Sequence, residues 1–420
     1  MRRTIPLGMA MVLATSLCLL TPTGTSANSS SAKPGTSNDA TGFALYSSGF
    51  GSRVRGGEVP AGSDNTAFTV IGCTQKAGVM RRNFEAEVTI PGLGVAEGVT
   101  TKLWTEEKNG VVSSYSTQRI AKISIPSSDG SLEIRALATL SRAFHDSQGF
   151  HTESTSEVAA IVLRPPSGPE QTFAIPTPNE PLLIPDLARI ALGDVIEKVT
   201  PGGAAVTTAA LDIQVFPTDT RATLARSKAR INDGIKSGLF KGFVAGTRAR
   251  GLDDNVQSGS TPLLVMPCQG TRGKIKKEAI ARVNLGDQIV VRGLDTQQSS
   301  EQTEARATGF ERARIAEVNL GDGELVIKGI TAQVNVTRLR NGTLQRDAKG
   351  TEIARIVFGG ETREFPRSGV IEIPGLVRIE DQITTQVKDG IKVVALRITI
   401  LDGTGAEIDL GTAELRIRKG

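Results

Sequence analysis

The chain says the same thing twice. Glu157-Val158-Ala159-Ala160-Ile161-Val162-Leu163 returns as Glu352-Ile353-Ala354-Arg355-Ile356-Val357-Phe358, an offset of 352 − 157 = 195 residues, and Cys73 and Cys268 stand at that same offset. Ile184-Pro185-Asp186-Leu187-Ala188-Arg189-Ile190 returns as Ile373-Pro374-Gly375-Leu376-Val377-Arg378-Ile379 at an offset of 189, as expected if an intervening loop differs by six residues. A period of this length means two copies of one domain, not a solenoid of short units. It also supplies a control, because chemistry that needs a residue found in only one copy is not shared by both.

The hydrophobic period within each copy is two. Ser131-Leu132-Glu133-Ile134-Arg135-Ala136-Leu137-Ala138-Thr139-Leu140 alternates, as do its counterpart from Glu324 to Val334 and the later run from Val393 to Ile400. Such alternation puts one strand face in a core and the other in water. Asn109-Gly110 and Asn341-Gly342 are short-hairpin signals, because both residue types tolerate positive φ. Asp129-Gly130, Asp322-Gly323, Asp389-Gly390 and Asp402-Gly403 sit between apolar runs in the same manner. The 46 glycines and 19 prolines punctuate many short segments. Ala222 to Ile231 has helical composition, but its counterpart, Leu410 to Ile417, alternates, so both are read as strands. Gly242-Phe243-Val244-Ala245 echoes Gly42-Phe43-Ala44-Leu45 and restarts the pattern. The expectation is an all-β chain of two tandem homologous antiparallel domains. A two-sheet sandwich is the simplest architecture, and a barrel or β-prism fits the same alternation.

The amino terminus reads as a secretory signal. Arg2 and Arg3 precede an apolar run from Ile5 to Leu20, and Thr25-Ser26-Ala27 supplies the small residues of a cleavage site. The run is shorter than the roughly 20 apolar residues of a membrane span, and bulky Leu17 before Cys18 argues against a lipoprotein. The expected organisation is a signal peptide over 1–27, a Ser/Asn/Gly/Pro spacer over 28–40, a first β domain over 41–231, a link over 232–239 and a second β domain over 240–420. Removing the signal lowers the net charge from +5 to +3. Neither copy shows the basic balance of a nucleic-acid surface. Export leaves two cysteines, Cys73 and Cys268, in an oxidising compartment. They form either one bridge between the copies or two separately buried thiols.

Several of these segments carry a resemblance. Ala40-Thr41-Gly42-Phe43-Ala44-Leu45 after a signal peptide, Phe173-Ala174-Ile175 with Pro178-Asn179 and the Ile184–Ile190 run, and Ile373–Ile379 followed by alternating strands resemble the actinobacterial choice-of-anchor P surface proteins. The resemblance implies a secreted or envelope-displayed β-rich protein and brings no catalytic residues. That family is named for its assorted C-terminal anchors. The run Leu415-Arg416-Ile417-Arg418-Lys419-Gly420 carries neither a sorting motif nor a tail helix, so free secretion is expected here.

Candidate chemistry is sparse. The only histidines, His145 and His151, lie with Glu153 across a tight turn and are the weak candidates for a metal site. The second copy has no histidine at the equivalent place, so a polar hairpin tip is the competing reading and neither metal nor cofactor is expected. Glu157 and Glu352 are duplicated acids, but they sit in different copies, so solvent-facing strand ends or salt bridges to Arg164 or Arg355 explain them better than paired carboxylate catalysis. No Gly-x-Ser-x-Gly elbow and no His-Glu-x-x-His helix occurs. Trp104 and Tyr115 stand equally far from the Asn109-Gly110 turn, on opposing strands, where they form either a cross-strand aromatic patch or part of the core packing. Arg272, Lys274, Lys276 and Lys277 form a basic cluster that either touches an anionic polymer or is a solvated strand face. These features favour a non-catalytic binding or structural protein, secreted or held at the envelope. Its partner is an envelope polymer, an extracellular protein or, through strand edges, another copy of itself. The alternative is an enzyme acting on envelope polymers through first-copy loops around His145 and Glu153.

Overall fold

The computed structural model describes residues 40–420 apart from 57–62, 64, 128–129, 253–255, 286–288, 367, 375–376 and 402–405. The signal and nearly all of the spacer therefore lie outside the described residues, as do Asp129, Asp402-Gly403 and Gly375-Leu376 of the sequence motifs.

Strand alternation organises everything that follows. In the first half β1 (Ala40–Gly56) and β2 (Thr69–Lys76) are followed by β3 (Met80–Ile90), β4 (Gly94–Lys108), β5 (Val111–Ser127), β6 (Gly130–Asp146), β7 (Gly149–Arg164) and β8 (Gln171–Phe173). Then come β9 (Leu182–Ile184), β10 (Ala188–Leu192), β11 (Val195–Thr200), β12 (Gly203–Thr208), β13 (Leu211–Val215) and β14 (Thr220–Asn232). Strands β3 to β8 form one antiparallel meander. In the other sheet β14 pairs with β1 on one side and with β12 and β13 on the other; β2 lies beyond β1, and β11, β10 and β9 lie beyond β12 and β13.

The second half repeats this order. Its strands are β15 (Gly238–Leu252), β16 (Val256–Val265), β17 (Lys276–Leu285), β18 (Ile289–Gln302), β19 (Arg306–Leu320), β20 (Leu325–Leu339), β21 (Leu344–Asp347), β22 (Glu352–Phe358) and β23 (Glu361–Arg363). They are followed by β24 (Val370–Ile373), β25 (Val377–Val387), β26 (Gly390–Ile400) and β27 (Glu407–Lys419). One sheet runs β16-β15-β27-β26-β25-β24, and the other is the meander β17 to β23. No helix among the described residues is long and apolar enough to cross a membrane.

Each half buries its apolar strand faces between its own two sheets. Ile120, Ile123, Ile134 and Leu224 fill the first core, and Ile315, Val318, Ile327 and Leu410 fill the second. The irregularities match as well. Gly98 and Gly293 both have φ 61, and a Cβ on them would lie 2.8 Å from the Ala121 Cβ and 2.7 Å from the Ala316 Cβ. A positive-φ bulge pressed onto a neighbouring side chain admits only glycine.

Ala222 to Ile231 is strand throughout, paired with β1, as the alternation of its counterpart predicts. Other local expectations are corrected. The Gly42/Gly242 echo is not the structural correspondence: Leu45 faces Ile231 as Phe240 faces Ile417, so Leu45 matches Phe240, and Gly242 matches Ser47. The two residues at the β25–β26 tip are Lys388 and Asp389, because Val387 pairs with Gly390, and Asp322-Gly323 belongs to a short 3-10 turn. The link is held rather than loose. The backbone N–H groups of Lys236, Ser237 and Gly238 converge on Gln302 Oε1 at 2.8, 3.2 and 3.3 Å.

Candidate functional site

Cys73 and Cys268 are bonded to each other, with Cα atoms 5.3 Å apart. Ala44, Leu239 and the two cysteines are buried together around the bridge, with Tyr46 and Ile235 packed against them. The bond joins equivalent points of the two halves, and a seam runs away from it.

The seam is built from alternation on β14. Ala225 (φ 50) shifts the strand by one residue, after which Ser227, Ala229 and Ile231 point into the core. Arg226, Lys228 and Arg230 therefore share the outer face, beside Phe50, Ser48 and Tyr46 of β1. The Arg226 and Arg230 guanidiniums each lie 5.7 Å from the ring centroids of Phe50 and Tyr46. Opposite this face stand the second half's edge strands β16 and β17. They enclose a groove of about 1010 Å³ lined by Arg53, Arg55, Arg226, Lys228 and Arg282, with Glu278 the only acid in its lining. Among the described residues no carboxylate comes within 4 Å of Arg226, Lys228 or Arg230. Burial pushes the Lys228 ammonium down to about 8, with Arg230 and Arg226 adding repulsion. Burial likewise lowers Arg226 and Arg230. Holding such charges partly out of water with no carboxylate in direct contact is unfavourable. Next to the groove, Arg189 and Arg221 join Arg53, Arg55 and Arg226 around a further hollow of about 750 Å³ that also holds Asp212 and Asp219.

β27, which pairs with β15 as β14 pairs with β1, carries no such row. At the offset 417 − 231 = 186, Arg226, Lys228 and Arg230 correspond to Thr412, Glu414 and Arg416. There Arg416 Nε donates to Glu414 Oε1 at 2.6 Å, and the charge cancels locally.

Toward the disulfide the seam turns apolar. A cleft of about 430 Å³ is lined by Phe68, Val70, Phe243, Leu263, Val265 and Met266, with Cys73, Lys241 and Glu414 also on its wall. Lys241 lies across Gly72, where a Cβ would come within 2.8 Å of its Cε and 3.0 Å of its Nζ, so a larger residue there would displace the lysine tip. Burial, then repulsion from Arg416 and Arg418, holds its ammonium below the ordinary lysine value.

The residues singled out from sequence are placed as follows. Arg272, Lys274, Lys276 and Lys277 are exposed; burial, then Arg230 and Lys198, lowers the Lys276 ammonium. Trp104 and Tyr115 pair across β4 and β5 and stack at 4.4 Å, with Lys102 over the Trp104 ring and Arg142 over Tyr115. His145 pairs with Phe150 and His151 with Phe144, so adjacent register positions send the two imidazoles to opposite faces of the hairpin. His145 packs on Phe43 and Phe150; His151 sits 3.0 Å from Asp146, and Glu153 binds Arg142 at 3.0 Å. Those three do not converge, and among the described residues no group of three or more His, Cys, Asp or Glu side chains is placed to hold a metal ion. Arg164 binds Glu133 and Glu170 rather than Glu157, and Glu157 and Glu352 are exposed strand residues.

Two features escaped the sequence reading. One is the β14 cation row, whose signal was Arg-x-Lys-x-Arg in a strand. The other is Glu311, fully buried with neither carboxylate oxygen hydrogen-bonded. Burial alone raises its carboxyl well above the usual range. The first-half equivalent, at 311 − 195 = 116, is Ser116, which donates to the Ser48 carbonyl at 2.9 Å. Glu311 is sealed from the seam, so it bears on stability rather than on chemistry. The chain matches no family model and no curated protein.

Proposed function

We propose that this is an exported, envelope-associated protein of the choice-of-anchor P kind, made of a duplicated β-sandwich, that binds an anionic partner in the seam between its halves and does not turn it over. One observation carries this reading. The groove presents five cations against one carboxylate, and among the described residues Arg226 and Lys228 within it have no carboxylate within 4 Å. Guanidinium and ammonium groups set at two-residue intervals on a strand recur about every 7 Å, which suits a partner with several anionic groups. The corresponding positions in the second half, Thr412, Glu414 and Arg416, hold one cation, and Glu414 pairs with it, so the fold itself does not require the row. The packing of His145 between aromatic rings and the pairing of Glu153 with Arg142 support binding over hydrolysis.

Calorimetric titration with tripolyphosphate tests this. Saturable binding is expected, weakening steadily with added salt. Arg226→Gln combined with Lys228→Gln should lower the affinity at least about tenfold, the loss of one or two charge-assisted hydrogen bonds. Binding that is absent, or equal in the variant, refutes the proposal.

A further inference from the structure

The basic groove and the apolar cleft are not separate. Arg53, Ser260 and Leu263 line both. A molecule lying along the seam therefore meets an apolar stretch at the disulfide end and a cationic stretch at the other. The cleft, at about 430 Å³, has the size of a small-molecule site. Its walls leave large apolar side chains in water: Phe68 is 46 %, Val265 49 % and Leu263 38 % exposed. Neither stretch is complete in the free protein. The apolar one leaves these side chains in contact with water, and Arg226 and Lys228 of the cationic one have no carboxylate within 4 Å among the described residues.

We infer that the seam is a single site for an amphiphile, an apolar chain ending in a phosphate ester, with the chain in the cleft beside Cys73 and the phosphate on Arg226 and Lys228. The inference rests on the anion-binding reading above and adds the chain to it. Phosphate is favoured over carboxylate as the head. It offers three oxygens to converging donors, and planar guanidinium forks bind two of them at once. Lys241, which has no carboxylate within 4 Å among the described residues, stands on the cleft wall and keeps the chain end of the site from being wholly apolar. That places the head of a short-chain ligand within reach of either end and makes chain length a discriminating variable.

The test is equilibrium binding of octyl phosphate and dodecyl phosphate, both below their micelle concentrations, against glycerol 3-phosphate as head alone and octyl glucoside as chain alone. Dodecyl phosphate is expected to bind one-to-one and at least tenfold tighter than glycerol 3-phosphate or octyl glucoside. Affinity should rise about two- to fourfold per added methylene until the cleft is full. Val265→Asp should abolish the chain-length dependence, with an unchanged far-ultraviolet circular dichroism spectrum showing that the variant is folded. Arg226→Gln with Lys228→Gln should reduce octyl phosphate to the level of octyl glucoside, the same chain without the phosphate. If glycerol 3-phosphate and tripolyphosphate bind as tightly as dodecyl phosphate, the amphiphile inference fails and the anion groove stands. If no anion binds, with or without a chain, both fail. Alkyl phosphate binding that ignores the Arg226/Lys228 double substitution also overturns the inference.

Discussion

Replacing both Cys73 and Cys268 by serine removes the one described covalent tie between the halves besides the backbone link, and its effect can be worked out from loop length. The bond closes a loop across a sequence separation of 195 residues. In the chain-entropy treatment that restricts the unfolded ensemble by about 18 cal/mol/K, or roughly 5 kcal/mol at 25 °C. Unfolding entropy near the midpoint is about 2.1 cal/mol/K per residue, so about 380 ordered residues give roughly 0.8 kcal/mol/K. The double variant, and the wild type under reducing conditions, should melt about 6 °C lower than the oxidised protein. Scanning calorimetry on the three samples at one protein concentration measures this. The wild type should also show no free thiol until unfolded and reduced. Oxidised and reduced traces that coincide within 1 °C would show that the seam is held by packing alone and that the argument from loop closure is wrong.

Other consequences follow from named contacts. Glu311 has a folded-state pKa raised above its unfolded value by burial. Below the unfolded pKa the carboxyl is neutral in both states and there is no penalty; as pH rises, only the unfolded chain ionises and stability falls by about 1.4 kcal/mol per unit. Glu311→Gln should therefore stabilise the protein at pH 7 more than at pH 4.5 in urea titrations, and an equal effect at both would contradict the assignment. Gly98→Val forces a β-branched residue into φ 61 against Ala121, and should cost about 2 kcal/mol or more, with Gly293→Val matching it in the second half. Because Lys228 loses its proton near pH 8, tripolyphosphate affinity should fall as pH rises through that value, and Lys228→Arg should flatten the profile.

The strands were readable because alternation is local: β5, β6, β20 and β26 each announce a buried face in their own residues. Turn tips were less secure. Asp389-Gly390 reads as a two-residue loop, yet pairing of Val387 with Gly390 shifts the tip by one. The Gly42/Gly242 echo misled because a similar dipeptide says nothing of the register, which bulges and cross-strand pairs set. The cysteine offset suggested a bridge but left separate thiols open, since the approach of one half to the other is not encoded in any one segment. For the same reason the seam was invisible. Arg226, Lys228 and Arg230 could be placed on one strand face from spacing, but that β16 and β17 would lie over them is a long-range fact. The exposed Lys274–Lys277 run drew notice by being contiguous, although the stronger charges were interleaved with buried alanine and serine.

The central claim, that the seam holds unpaired cations for an anionic partner, is tested most directly at Lys228 itself. Reductive ¹³C-methylation, with Lys228→Arg to assign the resonance, reports its titration by NMR. The account predicts a midpoint near 8 in the free protein and a clear upward shift with saturating tripolyphosphate, because a bound anion favours the ammonium. A midpoint at the ordinary lysine value, unmoved by the anion, would contradict it.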